Sequence, residues 1–169
     1  MHVTPERVRR ERHWVEERAD RIAALINDVR GELAGLFDTE VGTVTAAQVS
    51  AEVATVFDDG DVAANVAALI AILRDLDVDD DYPGFVVDEL LGRELAGTIA
   101  GNQPLRMLAE ATFHFADAHT HGGEDDTAGL DDLDAALAAG FQTRLPGWSW
   151  REAESPFDGA DEDATGRRA

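Results

Sequence analysis

The chain has 169 residues, enough for one domain with a hydrophobic core, and its 35 acidic residues against 14 basic ones give a formal net charge of -21. All the basic residues are arginine, and the absence of cysteine excludes a disulfide framework and thiolate chemistry. The strong negative charge argues against general binding to nucleic acid or to anionic membranes.

A long amphipathic helix is predicted over residues 4–37. Thr4 can cap its N-terminus, and Pro5 suits the first helical position, where no amide hydrogen is needed. Apolar side chains recur at helical spacing and form one continuous stripe: Val8, Val15, Ala19, Ile22, Ile26, Val29, Leu33 and Leu36. One helix cannot bury this stripe alone, so the rest of the chain, a second copy or a partner must cover it.

Arginine and tryptophan form a strip beside the apolar stripe. Its members, spaced by three or four residues on one helical face, are Arg7, Arg10, Trp14, Arg18 and Arg21. Together with Val8 and Val15 the strip predicts a partner-binding surface, because arginine and tryptophan are enriched at interface hot spots. Two alternatives stay open. Either nearby glutamates and helices neutralise the strip, or it binds nucleic acid through phosphate contacts and stacking.

Two shorter helices are predicted next. A capping-box pattern that begins at Thr45 starts a helix over residues 46–57. A helix over residues 62–76 is apolar on most of its sides, so we expect it to form the buried centre of the fold. The acidic residues 77–84 resemble the start of a calcium loop, but Tyr82 stands where that loop requires glycine, which favours a solvated turn.

The next two helices are predicted over residues 83–100 and 104–121. The second carries four potential metal ligands on one strip, which predicts a candidate zinc or iron site: Glu110, His114, Asp117 and His121. The apolar face of the same helix lies on the other side and comprises Leu105, Leu108, Ala111, Thr112 and Phe115. The alternative is therefore a solvated helix face. We expect His119, which points toward the apolar face, to be partly buried.

A sixth helix is predicted over residues 130–139, with Gly140 as its C-terminal stop. From residue 142 onward the sequence is irregular and acidic, with the proline, glycine and serine content of a tail. Three aromatic residues in this tail predict anchors that dock on a surface, namely Trp148, Trp150 and Phe157.

The sequence as a whole predicts an all-α fold. A single domain of about six helices covers residues 1–141, and an irregular tail covers residues 142–169. The leading functional hypothesis is a non-enzymatic helical adaptor or structural subunit of a larger assembly, such as a virion or accessory-complex component. Its partner would be another protein or a second copy of the chain.

Two other functions stay open. One is a metal-binding protein or metal-dependent enzyme that uses the strip on the fifth helix, and a divalent metal is the only cofactor considered. The other is a nucleic-acid-associated regulator that acts through the arginine-rich first helix, although nucleic acid is the less expected partner. No membrane association is expected.

The acidic, lysine-free composition resembles that of proteins from extreme halophiles, whose carboxylate-rich surfaces stay hydrated in molar salt. The sequence contains no apolar run long enough to cross a bilayer, and the N-terminus lacks a signal-peptide core. We therefore expect a protein of the cytoplasm, of its own cell or of a host cell, that works at high salt.

Overall fold

The computed structural model of the chain describes residues 1–78, 84–120 and 128–149. Within these ranges the fold consists of seven α-helices: α1 Pro5–Glu17, α2 Ala19–Leu36, α3 Ala46–Asp58, α4 Gly60–Asp75, α5 Val87–Ala100, α6 Leu105–Thr120 and α7 Ala128–Gln142. They share one hydrophobic core, which confirms the prediction of a single all-α domain. Across the described residues, the helices are too short or too polar to cross a membrane.

The helix caps that the sequence predicts at Thr4 and Thr45 form in the structure. The side chain of Thr4 accepts a hydrogen bond from the backbone N–H of Arg7 at 3.1 Å, at the start of α1. The capping box at the start of α3 is complete, because Thr45 and Gln48 each accept a hydrogen bond from the other's backbone N–H. Asp59 caps α4 directly after α3 ends. Local sequence therefore determines where these three helices begin.

The prediction of one helix over residues 4–37 is wrong, because the helix is interrupted at Arg18. This residue has φ -98° and ψ 7°, and its backbone N–H donates to the carbonyl oxygen of Val15 at 3.0 Å. The interruption allows α1 to pack against α3 and α4 while α2 packs against α3, α6 and α7. Most of the apolar stripe is thereby covered by the chain itself, with Val15, Ile22 and Ile26 at most 1% exposed, whereas Leu36 at its end stays 61% exposed.

Helix α7, and not α4, forms the centre of the fold. Every residue from 132 to 143 is buried, and α7 packs against α2, α3, α4, α5 and α6. Helix α4 keeps one side in contact with solvent, where Ile72 is 37% exposed. Gly129 of α7 lacks a side chain where α4 approaches it closely, at the carbonyl oxygen of Leu73.

Two further glycines mark close helix contacts. Helix α7 continues through Gly140, where the sequence predicted its end. A Cβ at this position would lie 2.8 Å from the Cβ of Ile99 on α5. A Cβ at Gly92 on α5 would lie 2.7 Å from the ring of Phe113 on α6. Both glycines are therefore required for packing between helices.

The later helix bounds also differ from the prediction. Helix α5 begins at Val87, four residues after the predicted start, and most of the acidic turn lies outside the described residues, which exclude 79–83. Helix α7 extends two residues before and three after the predicted residues 130–139. Residues 143–149, predicted as part of the tail, follow α7 and pack against the domain, with Leu145 2% exposed.

Candidate functional site

An apolar cleft, here called the α2–α6 cleft, opens between the C-terminal end of α2, the segment that follows it, and α6. Its volume is about 300 Å³. Leu33 and Phe37 line it from one side, Leu108 and Phe115 line it from α6, and Trp148 also contributes. The remaining lining residues are Thr39, Glu40, Val41, Ala111, Thr112 and Ser149. Side chains of this kind, with few polar groups among them, are typical of binding sites.

The orientation of α6 creates this cleft. The buried face of α6 comprises Ala109, Thr112, Phe113 and Ala116. The observed buried face is therefore displaced by about one residue position from the predicted apolar face, and the predicted face was wrong to that extent. Phe113 is fully buried in the contact with Gly92, and this contact sets the rotation of α6 about its own axis. Leu108 and Phe115 are left only partly buried and Ala111 is exposed, so the apolar side chains expected in the core line the cleft instead.

The position of Trp148 depends on Arg30, a buried residue of α2 that is 1% exposed. Its guanidinium donates hydrogen bonds to four backbone carbonyl oxygens, those of Gly42 at 2.6 Å, Pro146 at 2.7 Å, Gln142 at 2.8 Å and Leu145 at 3.3 Å. The guanidinium also lies 5.1 Å from the centre of the Trp148 ring. Arg30 thus joins the segment after α2 to the segment after α7, and both segments line the cleft.

A close backbone contact joins the same two segments. The backbone N–H of Gly42 donates to the carbonyl oxygen of Gly147 at 2.9 Å. Gly147 has φ +111°, and a Cβ there would lie 2.8 Å from a guanidinium nitrogen of Arg30. Beside this contact, Val41 and Trp148 form an isolated antiparallel bridge. Only glycine fits this conformation and this approach, so the side of the cleft that carries Trp148 is held rigidly.

The apolar surface continues beyond the cleft on both sides. Leu36 and Phe37 at the end of α2 are 61% and 71% exposed. On the other side, Leu90 and Met107 are 53% and 62% exposed and line a shallow depression of about 500 Å³ that shares Ala111 with the cleft. We call the set that spans this region the α6 surface: Leu36, Phe37, Leu90, Met107, Leu108, Ala111 and Phe115.

Four of the five members of the arginine and tryptophan strip, all except Arg10, have partners within the chain. The Trp14 ring lies between two guanidinium groups, with Arg18 at 4.6 Å and Arg74 at 5.2 Å from its centre. Arg18 also donates to both carboxylate oxygens of Asp134, at 2.7 Å each. Arg7 forms an ion pair with the fully buried Glu11 at 3.5 Å. The Arg7–Glu11 pair lies within α1. Arg74 joins Trp14 to α4, and Arg18 joins the junction of α1 and α2 to α7.

The other predicted partner-binding residues of α1 differ in their exposure. Val15 is fully buried and Val8 packs partly against the core, so Val15 is not part of a surface that a partner could touch. Arg21 forms an ion pair with Asp134 at 3.0 Å. Arg10 is exposed. The apolar component of the predicted docking surface is therefore used inside the domain.

Of the four predicted metal ligands, the structure describes Glu110, His114 and Asp117, and these three do not form a common metal site. Glu110 pairs with Arg106 at 3.2 Å, and the Nδ1 atom of His114 lies 3.4 Å from a carboxylate oxygen of Glu89. Asp117 lies beside Asp132, and His121 lies outside the described residues. Within those residues no group of three or more histidine or acidic side chains has a geometry that could hold a metal ion.

An acidic cluster surrounds Asp132 at the start of α7. Asp132 is 7% exposed, and its burial raises the pKa of its carboxyl group to about 8. This value of about 8 includes the contributions of a hydrogen bond with Asp88 and of the negative charges of Asp117, Asp88 and Glu89, which raise the pKa in the same direction. Asp132 therefore holds its proton at neutral pH.

His119, which the sequence predicts to be partly buried, and Trp148, a predicted anchor, both have hydrogen-bond partners within the chain. The side chain of His119 is 33% exposed, and its Nε2 lies 2.7 Å from a carboxylate oxygen of Glu32. Trp148 is 8% exposed, and its indole N–H donates to the carbonyl oxygen of Gln142 at 3.1 Å. The other two predicted anchors, Trp150 and Phe157, lie outside the described residues.

Sequence reasoning missed Arg30 as the residue that organises the cleft. The available signal was its place on the apolar stripe, four residues after Ile26 and three before Leu33. An arginine at such a position must satisfy its donors inside the protein, and backbone carbonyl oxygens of nearby loops are the usual acceptors.

Comparison with known families gives one result. The chain belongs to the family described as a domain of unknown function, DUF7984. The match covers residues 1–161 and so includes α1–α7, the α2–α6 cleft and Trp148. No curated protein and no solved structure matches the chain. The function must therefore be argued from the site itself.

Proposed function

We propose that the protein is a non-enzymatic helical adaptor, or a structural subunit of a larger assembly, that binds a segment of another protein in the α2–α6 cleft. The observation that best supports this proposal is Phe37, which is 71% exposed at a cleft already lined by Leu33 and Leu108. Contiguous apolar surface of this kind costs free energy when it faces water, and it is typical of protein-interaction sites.

The α6 surface also suits a protein that works in concentrated salt. At about 1 M salt the Debye length is only about 3 Å, so charged contacts at a surface contribute little. Apolar burial persists under these conditions and is strengthened by many salts. An interface that must form in molar salt is best built from side chains such as Phe37 and Met107, while the acidic remainder of the surface keeps the chain soluble.

The proposed site differs from the one that the sequence suggested. Arg7, Trp14 and Arg18 are engaged within the domain, so we assign them a structural role at the junction of α1 with α4 and α7. Trp148 keeps a role in the site because it lines the cleft. Arg10 is exposed on α1 and is not part of the proposed surface.

Site-specific photo-crosslinking tests this proposal. A photoreactive amino acid is placed at Phe37 or Met107 in the full chain, and at Asp20 as the control. Asp20 is exposed on α2 and lies about 20 Å along the helix from Leu33. We expect one defined protein to be crosslinked from Phe37 and Met107 in cells of the source organism, and none from Asp20.

A matched substitution makes the test quantitative. Phe37→Ser should change the free energy of unfolding by at most about 0.5 kcal/mol, because Phe37 lies at the surface. It should lower the crosslinking yield from Met107 by about tenfold or more. An adduct of the chain with itself would place a second copy in the cleft. The absence of any adduct from both positions would defeat the proposal.

A further inference from the structure

We infer that the segment bound in the α2–α6 cleft is a basic amphipathic helix, with two apolar side chains facing the cleft and arginine or lysine at its ends. This inference rests on the proposed function, because it specifies the partner of the same cleft. It follows from the charge at the mouth of the cleft, the length of the α6 wall and the space beyond Glu40.

Carboxylates surround the mouth of the cleft on its α2 side. Glu40 lines the cleft and is exposed. Asp38 is also exposed, directly after Phe37. Glu32, one turn before Leu36, is already bonded to His119 at 2.7 Å, so the argument rests on Asp38 and Glu40. A partner with cations beside its apolar anchors would be attracted to this mouth, and one with carboxylates there would be repelled.

Arg30 and Arg106, on the two helices that form the cleft, are used elsewhere. Arg30, on the same stretch of α2, is buried and donates to backbone carbonyl oxygens. Arg106, at the start of α6, pairs with Glu94 at 2.7 Å and with Glu110 at 3.2 Å. Because these two arginines are engaged elsewhere, they do not neutralise Asp38 and Glu40, whose negative potential acts on an incoming partner.

The α6 wall sets the length of the bound segment. From Leu108 to Phe115 the wall is about 10 Å long, because each helical residue advances the axis by about 1.5 Å. This distance accommodates about two turns of a partner helix, with anchors four or seven residues apart. The partner therefore needs two apolar side chains on one face. An apolar stripe longer than this is not required.

Beyond Glu40 there is room for the charged end of such a helix. An open depression of about 590 Å³ adjoins the cleft and shares Glu40, Val41 and Ser149 with it. Its remaining lining, which includes Gly42 and Thr43, is small or polar. A cation that leaves the apolar cleft at this point meets Glu40 and stays in contact with water, which costs little desolvation.

Charge also argues against a second copy as the occupant. The chain carries a net charge of -21, so a second copy would bring further carboxylates to a mouth that is already acidic. Like charges brought together at an interface cost free energy and slow association. With a basic segment of a different protein, the electrostatic contribution to the free energy of association becomes favourable.

Two synthetic peptides test the inference on the full chain. Each forms an amphipathic helix of about four turns with two leucines four residues apart. One peptide carries arginine at both ends and the other glutamate. Binding is measured by fluorescence anisotropy of the labelled peptide, at the lowest KCl concentration that preserves full helicity by circular dichroism and again at about 1 M.

We expect the arginine peptide to bind about tenfold or more tightly than the glutamate peptide at the lower salt, with a smaller ratio at about 1 M KCl, where charge is screened. The double variant Asp38→Asn/Glu40→Gln should reduce this ratio, whereas Asp20→Asn should not. Phe37→Ser should weaken both peptides alike, because it removes an apolar contact.

Failure of the inference can be told apart from failure of the proposed function. Equal affinity of the two peptides, a preference for the glutamate peptide, or no binding of either would overturn the inference. The crosslinking experiment from Phe37 decides the proposed function independently of any peptide. An adduct at Phe37 together with equal peptide affinities would contradict only the statement about charge.

Discussion

Asp132 and Asp134 lie two residues apart on the central helix α7, and both are nearly inaccessible, yet their surroundings are opposite. Asp134 is 2% exposed and receives the guanidinium groups of Arg18 and Arg21. Asp132 is 7% exposed and faces the carboxylates of α5 and α6. One aspartate is ion-paired, and the pKa of the other is raised to about 8 by burial and by its acidic neighbours.

The comparison shows that the partners from other helices decide how a buried aspartate contributes to the stability of the fold. Asp134 joins the junction of α1 and α2 to the centre of the fold, so it fixes the point at which the N-terminal helix is interrupted. Asp132 holds a proton and a hydrogen bond with Asp88, so it joins α7 to α5 only while that proton is present. The first contact depends on arginine and the second on pH.

Removing Arg18 should have the largest effect on this comparison. Arg18→Ala leaves the buried Asp134 with Arg21 alone, whose side chain is 61% exposed. It also removes the stacking on Trp14. We expect a loss of about 3 kcal/mol in the free energy of unfolding, as is typical when one partner of a buried ion pair is removed. Urea titration at constant KCl measures this loss. Arg10→Ala, at an exposed position, is the control, and an equal loss in both variants would contradict the assignment.

The raised pKa of Asp132 should make stability depend on pH, with a smaller effect. The pKa of Asp132 is about 8 in the folded chain, whereas the ordinary pKa of an aspartate is 3.8. Between these limits the unfolded chain releases a proton that the folded chain keeps, so stability falls as pH rises from about 4 to about 8. From pH 6.5 to pH 8 we expect a loss of about 1–2 kcal/mol, because one pKa unit corresponds to about 1.4 kcal/mol.

The variant Asp132→Asn tests this expectation, because asparagine resembles the protonated carboxyl group. It should remove most of the loss that the wild-type chain shows between the two pH values. The exposed Asp20→Asn variant reports the background from the other carboxylates, since both variants remove one acidic group. The Glu89–His114 contact at 3.4 Å lies in the same region, so His114→Ala serves as a second control. Parallel pH profiles of the wild type and Asp132→Asn would refute the role of Asp132.

Helix positions were predicted from the sequence where the signal is local. The caps at Thr4 and Thr45 and the periodic apolar residues around them determined the first helix start and α3 without any reference to distant residues. The interruption at Arg18 could not be predicted in this way. The apolar stripe continues through it, and the partner Asp134 lies 116 residues later.

The same limitation explains the error on α6 and the missed cleft. Leu108, Ala111 and Phe115 form the apolar face that a single helix would be expected to bury. Their exposure depends on Phe113, which is drawn into the contact with Gly92 of a different helix. A pattern within one helix shows which residues are apolar, but the neighbouring helices decide which of them the core receives.

Arg21 gives the smallest and most specific test of the comparison. Its ion pair with Asp134 is 3.0 Å long, but 61% of its side chain is exposed, so water and salt screen the contact. Arg21→Ala alone should lower the free energy of unfolding by only about 0.5 kcal/mol. In the Arg18→Ala background it should cost about 1 kcal/mol more than this, because Asp134 would then be buried with neither of these arginines. The double variant Arg10→Ala/Arg18→Ala, in which the second arginine does not reach Asp134, should be additive. Urea titration at the same KCl concentration measures all these variants. Additivity in both double variants would mean that Asp134 is solvated once Arg18 is removed. The contrast with Asp132 would then rest on exposure and not on pairing.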